Sequence, residues 1–125
     1  MIKAVATKNE EDYNQQIELL LKNNDSKYAK IKAHIEYLSN YDTEENYTIS
    51  RMMTMLLQDE FVLKDMQNWY SNILESIDIN NDEGRKLRLA LLFAEGFLSL
   101  LSLKYLDLSS DEQKDIFDDL KKFLL

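Results

Sequence analysis

The chain has one histidine, His34, and no cysteine. Disulfides, thiolate metal sites and cysteine nucleophiles are therefore excluded. Any nucleophile–base pair would have to use His34 as its base, and no nucleophile is placed beside it. His34 lies next to the Ile31/Ile35 stripe of a lysine-rich segment, where a surface or boundary imidazole is the expected reading. Carboxylates are plentiful and adjacent, at Glu10-Glu11-Asp12, Glu44-Glu45 and Asp118-Asp119. Neighbours in sequence do not face each other on a helix, so these pairs read as solvated faces. No Glu-x-x-His pair exists to build a carboxylate-bridged dimetal bundle. With only Gly84 and Gly96, no glycine-rich phosphate loop can form. These residues predict a protein that is not an enzyme and uses no metal or cofactor.

What remains is apolar and aromatic. Met52, Met53, Met55 and Met66 precede Trp69 and Tyr70. Methionine adapts to irregular apolar surfaces, and the tips of tryptophan and tyrosine can orient a ligand. Ordinary core packing explains the same residues. The formal net charge of −8 argues against a grip on phosphate backbones. The longest apolar run, residues 89–103, is interrupted by Glu95 and two serines, and it falls short of the roughly 20 residues that span a bilayer. No secretory leader precedes the first amphipathic segment, so a cytoplasmic location is expected.

The elements that must position these residues are helical. Proline is absent and glycine occurs twice, far below what sheet turns require. Apolar periodicity and caps predict six helices. The first, residues 2–22, carries Ala6, Tyr13, Ile17, Leu20 and Leu21, and its stripe begins with Ile2 and Val5 without a cap. The second, residues 26–40, buries Tyr28, Ile31, Ile35 and Leu38. A capping box at residues 42–45 opens the third, with Ile49, Met52, Met53, Leu56 and Leu57. The fourth, residues 60–77, aligns Val62, Met66, Trp69, Tyr70, Ile73 and Ile77. The fifth, residues 81–106, is the longest and is capped by Asn80 with Glu83. Its polar residues Arg88, Glu95, Ser99 and Ser102 form one narrow stripe. The rest of its circumference is apolar, which invites a partner chain. The sixth, from Ser110 to the end, has capping-box spacings at Ser109/Glu112 and Ser110/Gln113.

Three stretches carry a resemblance. They are Asp65-x-x-x-Trp69-Tyr70 with Ile73, the segment Leu91-Leu92-Phe93-Ala94-Glu95-Gly96-Phe97, and the short helix after Ser109-Ser110-Asp111-Glu112. With the helix order, they resemble the C-terminal regulatory domain of TetR-family transcriptional repressors over essentially the whole chain, residues 1–125. The resemblance implies an all-α, six-helix bundle whose last two helices form a four-helix-bundle dimer interface. It implies a homodimer that senses a small effector. DNA would be bound only through an N-terminal helix-turn-helix domain that this sequence lacks. The interface would use Leu89, Leu92, Phe93, Gly96, Phe97 and Leu100 with Ile116, Phe117, Leu120 and Phe123. The apolar circumference of the fifth helix agrees independently, because a two-fold contact needs a self-complementary patch. The implied pocket would be lined by Tyr28, Ile35, Met52, Met53, Leu56, Met66, Trp69, Tyr70, Ile73 and Phe93, a lining suited to an apolar or aromatic effector. The alternative is a stand-alone helical protein-interaction module without a small ligand. Gly96 is expected to be a contact point where another helix approaches closely, within the subunit or across the two-fold, and Glu95 to face water, an interface hydrogen bond or the polar end of the pocket.

Overall fold

The computed structural model describes residues 2–22, 28–40, 47–48, 51–52, 54–55 and 58–125, with the backbone alone for residues 2–7 and 9. Among the described residues there are five helices and no strand: α1 (Ile2–Leu21), α2 (Ala29–Ser39), α3 (Glu60–Glu75), α4 (Asp82–Ser102) and α5 (Ser110–Leu124). The predicted third helix, with Ile49, Met53, Leu56 and Leu57, lies largely outside the described residues.

α4 is the hub. Leu87, Ala90, Leu91, Ala94, Phe97, Leu98 and Leu101 recur at spacings of three and four, so they share one face, and all are buried. That face takes α2 on one side, through Ile31, Ile35 and Leu38, and α5 on the other, through Phe117 and Leu120. Leu87 and Leu91 are completely enclosed. Burying each leucine contributes roughly 1.5–3 kcal/mol. α1 packs on α2. α3 buries none of its own residues, although Ile73 and Leu74 rest against the core.

The start of α4 shows why one glycine is required. Asn81, rather than the expected Asn80, is the N-cap, and its side chain accepts from Gly84 N at 2.8 Å. Asn80 instead gives its backbone N–H to the Asp78 carboxylate at 2.9 Å. This folds residue 78 back against the first turn of α4. A Cβ on Gly84 would stand 1.7 Å from the Asp78 carbonyl oxygen, closer than atoms can approach.

α4 also ends earlier than its apolar pattern predicts. Lys104 adopts a left-handed conformation, φ 62°. Lys104 N then donates to Leu101 O at 3.0 Å and Tyr105 N to Leu100 O at 2.9 Å. That pair of bonds is the Schellman closure, here without its usual glycine. α5 opens as expected: Glu112 N donates to Ser109 Oγ at 3.2 Å, and Ser109 N donates back to Glu112 Oε1 at 3.3 Å. Acidic residues in its first turn and lysines in its last complement the helix dipole.

Candidate functional site

Four helices converge on His34. α2 presents it three residues after Ile31 and four before Leu38, inside the buried stripe. Burying a ring with two polar nitrogens is tolerable only if both are partnered. The Tyr13 hydroxyl from α1 lies 2.7 Å from Nδ1, and Glu95 Oε1 from α4 lies 2.6 Å from Nε2. With one proton on His34, at Nε2, Tyr13 donates to Nδ1 and Nε2–H donates to the carboxylate. α3 closes the group: Tyr70 stands within reach of the Glu95 charge, and Trp69 lies edge-on to His34 with ring centroids 5.2 Å apart. Tyr13 meets Tyr37 at 4.9 Å and 90°, and Trp69 meets Tyr70 at 4.8 Å and 87°. Perpendicular rings of this kind favour edge-to-face attraction and make walls rather than a stack.

Electrostatics follow from the geometry. The Tyr70 hydroxyl is held well above the usual phenol range, chiefly by burial and then by the Glu95 charge. Burial raises Tyr13 as well, with the Glu95 charge next. Burial and then the Asp12 charge push Tyr37 up. These phenols therefore remain proton donors. Among the described residues no lysine or arginine pairs with Glu95, and the nitrogen nearest its carboxylate is His34 Nε2.

Of the pocket residues expected from sequence, Trp69 and Tyr70 come together in this group. Ile73 and Met66 are half-buried on the same helix. Tyr28 and Ile35 are core residues. Tyr28 holds a left-handed backbone, φ 67°, and its hydroxyl accepts from Asp78 N at 2.9 Å. Phe93 is 45% exposed and stacked on Phe97 one turn along α4. Met52 is half-buried, and Met53 and Leu56 lie outside the described residues.

The expectation of a surface or boundary His34 is corrected: the ring is buried and doubly bonded. The signal was its position between Ile31 and Leu38. Tyr13 was expected only as part of the first helix's apolar stripe, and Tyr37 was not singled out. Tyr13 stands four residues before buried Ile17, but nothing in the sequence ties it to α2.

A family model described as "Tetracyclin repressor-like, C-terminal domain" matches residues 29–124, most of the chain. The chain belongs to this family. No curated protein and no solved structure gives a significant match. TetR-like C-terminal domains are parts of transcription regulators. Among the described residues of this domain, no helix is long and apolar enough to cross a membrane.

The TetR-like frame directs attention to the faces of α4 and α5. Leu89, Leu92 and Leu100 are 60%, 52% and 41% exposed, and with Phe93 and Gly96 they line the side of α4 opposite its core face. Phe123 is exposed on α5 beside half-buried Ile116. Phe97, Phe117 and Leu120 are buried inside the protomer, where the Phe97 and Phe117 rings meet at 5.5 Å. They belong to the contact between α4 and α5 and not to a free face. Among the described residues a Cβ on Gly96 would meet nothing within 4 Å, so Gly96 is no contact point between them. Leu124 rests on the core, while Leu125 is fully exposed.

Proposed function

We propose that this chain is the effector-sensing and dimerising domain of a TetR-like transcriptional repressor. It would bind a small ligand with an apolar or aromatic body and thereby control operator binding by a helix-turn-helix domain outside this sequence. One observation carries the reading: α4 is apolar on two opposed sides. Its core face is spent within the protomer, and the stripe Leu89, Leu92, Phe93 and Leu100 is left uncovered. An exposed stripe of large apolar residues marks an association surface. The dimer would pair α4 and α5 with their two-fold copies, bringing the bare backbone at Gly96 close to the partner helix. The effector site would be the Tyr13–His34–Trp69–Tyr70–Glu95 group, because its polar tips can orient a ligand against aromatic walls.

Sedimentation of the purified chain at micromolar concentration tests the assembly. A dimer of 14.8 kDa chains is expected, and a clean monomer overturns it. Gly96→Leu sharpens the test. The protomer has open space there, and leucine is the better helix former by about 0.8 kcal/mol. A weaker dimer then reports on the interface and not on folding.

A further inference from the structure

The chemistry of the His34 group selects the charge of its occupant. Glu95 Oε1 is engaged by His34, and the carboxylate charge acts on the Tyr70 hydroxyl beside it. In the arrangement with one proton on His34, every donor to that carboxylate is neutral. The site then carries a net negative charge with no lysine or arginine among the described residues paired to it. Asp12, whose charge acts on Tyr37, adds a second negative charge at the α1 side. The group opens to solvent where Glu95, with 27% of its side chain exposed, and Trp69, 36% exposed, reach the surface.

An anion entering there would face like charge. A neutral apolar body would cover the carboxylate without offering it a counter-charge, and removing a charge from water without one is costly. A cation gains on both counts. Its charge pairs with Glu95, and its alkyl or aryl surface lies against electron-rich rings, which attract cations through their faces.

We infer that the group formed by Tyr13, Tyr37, Trp69, Tyr70 and Glu95 binds an organic monocation, an amine or quaternary ammonium carrying an apolar or aromatic body. This rests on the effector-sensing reading and narrows its ligand class.

The chain has a single tryptophan, so its fluorescence reports on this site alone. Benzyltrimethylammonium is titrated against its neutral carbon isostere, neopentylbenzene. The cation is expected to shift Trp69 emission saturably and to bind at least tenfold more tightly than the isostere. Glu95→Gln should erase that margin while leaving the circular-dichroism melting curve in place. If the isostere binds as well as the cation, or the margin survives Glu95→Gln, the charge assignment is overturned and the effector-sensing reading stands. If neither probe perturbs Trp69 up to millimolar concentration, both fail at this site. Should Glu95→Gln not fold, the comparison of the two probes on the wild-type chain decides the matter alone.

Discussion

Gly84 and Gly96 look alike in sequence, each a glycine on the longest helix. Their surroundings differ completely. A methyl group on Gly84 would overlap the backbone oxygen of Asp78, while one on Gly96 would enter open space. Gly84→Ala is therefore expected to cost about 3 kcal/mol, read as a lowered melting temperature. The sequence could not separate the two, because the approach of residue 78 depends on the Asp78–Asn80–Asn81 hydrogen bonds, and periodicity does not encode those. His34 was expected at the surface or boundary and is buried, although its place between Ile31 and Leu38 carries the signal for burial. Its partners were not legible, lying 21 residues before it and 61 after. The raised phenols of Tyr13, Tyr37 and Tyr70 make a further expectation. An unfolded tyrosine ionises near pH 10, and these resist ionisation in the fold. Their contribution to stability is complete below that pH and is lost as pH rises above it, because the unfolded chain releases protons the native chain retains. Urea midpoints measured across pH 8–11.5 should be flat and then fall beyond about pH 10. Tyr13→Phe should make that fall shallower.

At the scale of elements, caps proved easier to read than ends without glycine. Ser109 with Glu112 announces α5 from sequence alone, and the structure forms both bonds of the box. The end of α4 carries no such mark. Leu103, Tyr105 and Leu106 continue the apolar pattern, yet the helix closes through a left-handed lysine. An L-residue pays roughly 1 kcal/mol for that conformation, and glycine does not. Lys104→Gly should accordingly raise stability by about 0.5–1 kcal/mol in chemical denaturation, despite glycine's greater freedom when unfolded. The same logic accounts for Tyr28, whose left-handed backbone is held by a buried ring and by the bond from Asp78 N. No local signal favours such a conformation in tyrosine, and only the tertiary contacts explain it.

For the whole molecule, helical class and the central place of α4 were legible, because they follow from composition and from one long apolar segment. The division of that segment's residues between core and free face was not, since an all-round apolar helix shows no preferred side. Exposure now separates two kinds of substitution. Leu92→Glu places a charge on the uncovered stripe and should halve the sedimenting mass. Phe117→Ala removes a buried ring and should cost about 3–5 kcal/mol in folding stability. One consequence of the packing concerns time rather than geometry. α4 is enclosed on its core face, whereas α3 buries none of its residues and meets the other helices through Trp69, Tyr70, Ile73 and Leu74. Opening free energies follow such differences in enclosure. Amide protons of α3 should therefore exchange with deuterium well before those of α4. A molecule seated between Trp69 and Glu95 would slow that clock in a helix that buries none of its own residues.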